Sequence, residues 1–275
     1  MPYHDTEASH AAPRAKKSLG QNFLKDANIA ARIVAQLRIA PEDRVIEIGP
    51  GPGALTRHIH AAGPASMTLL EKDYHWAGEH KRNPPQGKPD VDVVLTDALL
   101  FPWDNIAPTH PWKIIGNLPY NVASPLMWEI FSRAHGMLRA VFMIQKEVGE
   151  RIVAAPGSKQ YGALSVWTQS FVQPRWCFVV PPHVFKPQPK VDSAVLAFEP
   201  IQHKPDSQLA EALSKVLKIC FQQRRKQLQS ILKSHVPGGA SALLASVGID
   251  PAARPETLDT IRFQQLAAAL AAVRG

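Results

Sequence analysis

The sequence predicts an α/β fold: a mostly parallel, doubly wound sheet with an antiparallel hairpin at one edge, followed by a small all-helical domain. Three observations predict it. From Arg44 onward short β-branched runs alternate with helical patterns; two apolar runs flank a Pro-rich connection around Val184; and strand character stops at Pro200, beyond which only helical periodicity remains. The 275 residues suit one large domain of about 200 residues and a small appendix. The expected organisation is a disordered leader over 1–13, a sheet domain over 14–200 and a helical domain over 201–275.

Each element has its own justification. Asp26 is an N-cap candidate for a helix in which Ile29, Ile33, Val34 and Leu37 share a face. "RVIEIG", "SMTLLE", "DVVLTD", "WKIIGN" and "AVFMIQ" read as strands buried on both faces. "RWCFVV" and "VDSAVLAFEP" lie so close in sequence that they are expected to pair antiparallel at a sheet edge. Helices are expected over Leu209–Ile219, Arg225–Lys233, Ala240–Val247 and Asp259–Val273, the last amphipathic despite its alanines.

Lys and Arg outnumber acids 31 to 23, a net charge of +8, which favours an anionic partner such as nucleic acid. No apolar run approaches the roughly 18 residues of a spanning helix, so no membrane role is expected. Cys177 and Cys220 stand far apart and outside any CxxC pattern, which reads as reduced thiols in a cytoplasmic protein. The 11 histidines show no ligand spacing, so no metal is expected.

"VIEIGPGPG", Val45 to Gly53, is a strand entering a Gly-rich turn ahead of a helix expected near Ala54. Such a turn alone is as compatible with a plain strand-to-helix connection. Glu71 ends the next strand, where a carboxylate can accept both ribose hydroxyls of an adenosine moiety, and Asp97 ends the third. Open α/β sheets bind ligands at those strand ends. The spacing G-x-G-x-G, rather than the dinucleotide spacing, fits S-adenosylmethionine better than a nicotinamide cofactor.

The fourth strand ends in "GNLPYN". The exocyclic amine of adenine is a poor nucleophile because its lone pair is delocalised into the ring. The Asn117 side-chain oxygen and the Leu118 carbonyl can each accept one of its N–H groups and so favour the pyramidal nitrogen of the transition state. Pro119 stiffens the turn, and Tyr120 can stack on an extruded base. The bland alternative is a strand-ending turn with Tyr120 in the core.

"QNFLKD", "EIGPGPGALT", "LTDAL", "GNLPYNVASPL", "QKEVGERI", "YGALSV", "VFKPQPKVDSAV" and "FQQRRKQLQ" together resemble the bacterial small-subunit ribosomal RNA adenine dimethyltransferases, from about Arg14 to the C-terminus. The resemblance implies a Rossmann-like class I methyltransferase sheet. It also implies transfer of two methyls from S-adenosylmethionine to N6 of each of two adjacent adenosines in the 3′-terminal hairpin of 16S RNA, on a nearly mature small subunit. It implies further that Asn22, Leu24, Gly49, Glu71, Asp97 and Asn117 line the cofactor site, where the Gly-rich turn itself adds Gly51 as a point of close backbone approach, that Asn117 through Tyr120 hold the target amine, and that Phe185 closes over the base opposite Tyr120. The sequence departs from the family at Lys72, where an apolar residue is usual, in "DYHWAGEHKRNPPQG", and at Ala123, where Ser is common.

Between Lys204 and His235 seven Lys or Arg face two acids, with "QQRRK" the densest part. With the basic arm carrying Arg14, Lys16 and Lys17, the residues Arg224, Arg225 and Lys226 are expected to grip RNA phosphates. By itself such a stretch is a solvated helix face. Three rivals are weighed against this reading. A DNA adenine methyltransferase would carry Pro where Leu118 stands. A large-subunit dimethylase of the macrolide-resistance type shares the cofactor motifs. A non-catalytic assembly factor would not need Asn117, Glu71 and Asp97 intact. A monomer is the expected state.

Overall fold

The computed structural model describes residues 20–236 and 239–274, so the leader and the basic arm with Arg14, Lys16 and Lys17 lie outside the described residues. The first element is a two-residue strand β1 (Phe23–Leu24), followed by helix α1 (Ala27–Leu37), whose first turn is capped by Asp26 accepting from the Ile29 N–H at 3.0 Å. Then come β2 (Arg44–Ile48), α2 (Thr56–Ala61), β3 (Ser66–Glu71), α3 (Tyr74–Arg82), β4 (Val91–Leu95), β5 (Trp112–Asn117), α4 (Ala123–Arg133) and β6 (Met137–Gln145). Helices α5 (Lys146–Ile152) and α6 (Ala163–Phe171) precede β7 (Val172–Val180), the short β8 (Phe185–Lys186) and β9 (Ser193–Pro200). Four helices end the chain: α7 (Ser207–Gln222), α8 (Leu228–Leu232), α9 (Ala240–Ser246) and α10 (Thr260–Arg274).

The main sheet has the order β4-β3-β2-β5-β6-β9-β7. Strands β4 to β6 run parallel; β9 pairs antiparallel with β6 and β7 antiparallel with β9, which is the expected edge hairpin. The order reverses between β2 and β5. That switch point leaves a cleft beyond the carboxyl ends of the strands, where the two halves of the sheet send their helices to opposite faces. Separately, β1 pairs antiparallel with β8, so the chain before α1 is tied to the segment after β7.

Alternation along the strands divides the core into two layers. Ile46, Ile114, Phe142 and Leu196 point to one side, Val45, Ile115, Val141 and Val195 to the other. The second layer is closed by α1 and α2. The first layer continues without a break into Leu213, Leu217, Leu228, Leu244, Phe263 and Leu266 of the C-terminal helices. These helices therefore extend an existing core, which suits a unit too short to build a large one alone. Polar ties reinforce the join: the Tyr161 hydroxyl donates to the Leu258 carbonyl at 2.8 Å.

Three details differ from the sequence reading. β4 is one of the sheet's two outer strands and is half-solvated, with Val94 and Leu95 38% and 46% exposed, rather than buried on both faces. A short apolar run does not reveal whether it lies at the centre or the edge of a sheet. The helix after the Gly turn starts at Thr56 rather than Ala54 and has only six residues. Helix α8 starts at Leu228, so Arg225 and Lys226 lie in the turn before it. No described helix is long and apolar enough to cross a membrane.

Candidate active site at the carboxyl ends of the strands

Strand register brings the site together. Ile48 pairs with both Leu70 and Gly116, so the residues that follow them, Gly49, Glu71 and Asn117, emerge side by side at the sheet's edge. Close approach of β2 and β5 requires Gly116, since a Cβ there would lie 2.9 Å from the Ile48 carbonyl oxygen. One cavity is lined by Asn22, Gly49, Gly51, Glu71, Asp97 and the turn Asn117–Tyr120.

The Gly turn is held by a carboxylate. Gly51 has φ +51, and its N–H donates to Glu71 Oε2 at 3.0 Å, while the Asp73 N–H donates to Oε1 at 2.7 Å. Each carboxylate oxygen keeps a lone pair for a ligand hydroxyl. Desolvation raises the Glu71 carboxyl above its ordinary value against the pull of these two N–H groups. Asp97 sits nearer the mouth. Its Oδ1 accepts from the Leu99 N–H at 3.0 Å and its Oδ2 from Lys72 Nζ at 2.7 Å. Desolvation works against ionisation here too, yet the Lys72 hydrogen bond and the Leu99 N–H hold Asp97 below the usual carboxylate range.

At the tip of β5, Asn117 Nδ2 donates to the Asn22 carbonyl at 2.9 Å. This fixes the amide, and among the described residues Oδ1 accepts no hydrogen bond. Leu118 is anchored by its N–H to the Met143 carbonyl at 3.0 Å and by a buried side chain; its own carbonyl likewise has no described partner. The Pro119 carbonyl is spent on the first turn of α4, accepting from Val122 and Ala123. The Tyr120 hydroxyl bonds Ser193 Oγ at 2.7 Å, and desolvation raises its pKa. Its ring lines the cavity rather than the core. The chain around β1 lines the cavity too, from Gly20 to Phe23, and touches the turn through the Asn22 carbonyl; Phe23 meets Trp76 edge to face at 5.6 Å, and the β1–β8 pairing anchors the segment.

Two expected residues sit elsewhere. Leu24 is not on the cavity wall; the strand alternation that brings Phe23 to it turns Leu24 into the core beside Ile33 and Leu55. Phe185 is also buried, 2% exposed, in the same apolar layer, and does not face Tyr120 across the cavity. The plain hydrophobic alternative describes Phe185 as placed. Sequence reasoning missed Phe23 and Lys72 as cavity residues; "QNF" beside a Gly turn was the available signal for the first. It also missed Glu47, which is buried in β2 ahead of the turn, its Oε2 without a hydrogen-bond partner among the described residues.

A likeness to known proteins now bears on the site. A family model described as ribosomal RNA adenine dimethylase matches residues 12–271. The chain belongs to the ribosomal RNA adenine dimethylase family. Among similar proteins, "Ribosomal RNA small subunit methyltransferase A" of Nitratidesulfovibrio vulgaris strain Hildenborough is 73% identical, over 94% of this chain and 97% of that one. The protein of the same name from Oleidesulfovibrio alaskensis is 62% identical, over 95% and 93%. Among solved structures, a dimethyladenosine transferase from Plasmodium falciparum superposes with TM-score 0.74 at 25% identity, over 89% of this chain and 95% of that one. The 23S rRNA methyltransferase ErmE gives 0.65 at 25% identity, over 91% and 100%. The fold is the Rossmann-like class I methyltransferase sheet with a helical C-terminal part.

In this adenine dimethylase the basic surface also departs from expectation. Arg225 and Lys226 are exposed and share a concavity with Arg254. Arg224 borders it too, but its Nε pairs with Glu256 at 2.7 Å and its Nη2 donates to the Ser158 carbonyl at 3.0 Å. Arg224 thus ties the α7–α8 turn to neighbouring loops, a role invisible in a run of like charges.

Proposed function

We propose that this dimethylase transfers methyls from S-adenosylmethionine to N6 of two adjacent adenosines in the 3′-terminal hairpin of 16S rRNA, late in small-subunit assembly, as a cytoplasmic monomer. The observation that carries the chemistry is the pair of open acceptors, Asn117 Oδ1 and the Leu118 carbonyl, on the same cavity as Glu71 and Asp97. The small-subunit target is supported by the names of the relatives at 73% and 62% identity.

The cavity suits the cofactor. Among the described residues a Cβ at Gly49 would meet nothing within 4 Å, so the turn leaves space there where a ligand's chain can lie against backbone. Glu71 is the acceptor for ribose hydroxyls, and Asp97 the acceptor for an amine beyond it. S-adenosylmethionine, when bound, supplies an electrophilic methyl group. The rest of the chemistry belongs to the chain. Asn117 Oδ1 and the Leu118 carbonyl take the two N–H groups of the target amine and draw its nitrogen out of the ring plane, so that its lone pair localises. Because both acceptors are fixed before substrate arrives, little reorganisation accompanies the reaction. Tyr120, tethered to Ser193, offers a face on which the extruded base stacks. The surplus proton leaves after transfer, and no base of shifted pKa is required.

Arg225, Lys226 and Arg254 hold RNA phosphates at some distance from this chemistry. The deciding experiment is mass spectrometry of the small-subunit RNA 3′ end from cells with and without the gene. Dimethyladenosine is expected to disappear from that hairpin in the deleted strain. Its persistence there, with loss from the large-subunit RNA instead, would transfer the reading to the 23S type that the likeness to ErmE allows.

A further inference from the structure

Positive charge also gathers on the side of the sheet away from the C-terminal helices. Those helices continue the first core layer, whereas α1 closes the second, packed against β6 and β9 with β7 as the sheet edge beyond them. The charged residues of α1, its C-terminal cap, β6, β7 and β9 are Arg32, Arg38, Arg139, Arg175 and Glu199, four cations against one acid.

Contacts join them into one patch. Arg139 is buried; its Nε donates to the Gln36 carbonyl at 2.7 Å and its Nη1 pairs with Glu199. Arg175 Nη2 donates to Gln36 Oε1 at 3.1 Å, and Arg38 Nη1 stands 4.0 Å from Glu199. The Arg32 guanidinium lies over the Phe178 ring of β7, 4.1 Å from its centroid. A guanidinium stacked by its flat face keeps its N–H edge for another partner. Glu199 is thus matched by the buried Arg139. Arg32, Arg38 and Arg175 are exposed, and among the described residues no other carboxylate pairs with them.

Structural roles account for part of this. Arg139 and Glu199 tie β6 to β9. Arg38 follows the last turn of α1, where a cation suits the helix dipole, although at φ +54 Gly or Asn is the easier choice. Neither argument reaches Arg32 within the helix or Arg175 on the edge strand. Arg32 and Arg38 are roughly 9 Å apart along the helix axis, and Arg175 lies across on β7, so no single small anion meets all three. Successive phosphates of a nucleic-acid backbone do, and the forked donors of arginine match phosphate oxygens.

We propose that Arg32, Arg38 and Arg175 form a second RNA-binding surface, which holds the phosphate backbone of a small-subunit rRNA segment other than the one at the α7–α8 concavity. The choice of RNA rests on the rRNA reading above. The two surfaces flank opposite layers of the core, so the folded particle rather than one hairpin engages both.

The test is binding to purified small subunits and to protein-free small-subunit RNA between about 50 and 200 mM salt. Wild type is compared with the triple variant Arg32→Gln, Arg38→Gln, Arg175→Gln and with the matching triple Lys variant, and thermal melts show that each folds. The Gln variant is expected to bind both probes at least tenfold more weakly at low salt, with a logarithmic salt slope shallower by about 2–3. Each single Gln variant should flatten the slope by about 0.7–0.9, and the Lys variant should keep most of it. A Gln variant whose slope stays within about 0.5 of wild type would overturn the proposal. So would a Lys variant that loses as much as the Gln variant, since shape rather than charge would then be at stake. Weakened binding to the particle with none lost on protein-free RNA would make the partner a ribosomal protein and overturn it too. A wild type whose binding to both probes ignores salt would instead overturn the rRNA reading itself.

Discussion

At the tip of β5 three residues are each oriented by a partner distant in sequence: Asn117 by the Asn22 carbonyl, Leu118 by the Met143 carbonyl, Tyr120 by Ser193. The concavity at the α7–α8 turn is the opposite case. There Arg225 and Lys226 are exposed, and only Arg224 is tied down, by Glu256 and Ser158. The first region spends its hydrogen bonds on holding two acceptors open in fixed positions; the second leaves charges exposed in a concavity. Selective stabilisation of a small reacting group needs the former, and attraction of a polyanion needs only the latter. Substitutions should therefore separate them, with large and sharp effects on rate at the rim and graded, salt-dependent effects on binding at the concavity.

The largest separation is expected from Asn117→Ala. Removing one preorganised polar group that faces a reacting atom lowers rate by about 10²–10³ in comparable sites. Single-turnover methyl transfer should fall by that order while docking on the small subunit persists. A variant that transfers methyls within tenfold of wild type would remove Asn117 from the chemistry.

The next effect belongs to the concavity. Arg225→Glu combined with Lys226→Glu should weaken small-subunit binding at least tenfold and flatten its dependence on salt, by about 0.7–0.9 in the logarithmic slope for each phosphate no longer neutralised. Affinity for S-adenosylhomocysteine should stay within twofold, since these residues are not among those lining the cofactor cavity. Arg224→Ala should behave differently. Its partly buried pair with Glu256 is worth about 1 kcal/mol, so Tm should drop by about 2–4 °C with little change in salt slope. If Arg224 shares the salt phenotype of Arg225, the division drawn between them fails.

How far the sequence reveals these regions follows from the same contrast. The parallel strands are legible because β-branched runs between helical patterns have few other folds open to them, and the line Gly49, Glu71, Asn117 follows from strands ending in register. Leu24 and Phe185 are not legible in that way. Both sit in two-residue strands whose facing depends on the β1–β8 pairing, a contact between distant segments that leaves no local periodicity. Arg224 is hidden for a similar reason: its partners Glu256 and Ser158 are remote in sequence, and within "QQRRK" it is indistinguishable from Arg225. β4 read as buried because composition alone does not tell an edge strand from a central one.

The last expected effect, read only as a change with pH, concerns neither region directly but the strand that leads into the Gly turn. Desolvation pushes the Glu47 carboxyl up to about 8, a shift to which the nearby Glu71 charge adds and which bonds from Thr56 oppose. Folded protein thus binds this proton more tightly than unfolded chain, whose carboxyl titrates near 4.5. Its contribution to stability is complete below that lower value and is lost as pH rises through the upper one. Glu47→Gln keeps the shape and removes the titration. Wild type should therefore lose a few degrees of Tm relative to the Gln variant between about pH 6 and pH 8, at about 2–4 °C for each kcal/mol. Calorimetric melts at both pH values check this. A difference between the two proteins that does not move with pH would mean that Glu47 is already ionised in the fold, with a counter-charge or water reaching its unpartnered Oε2.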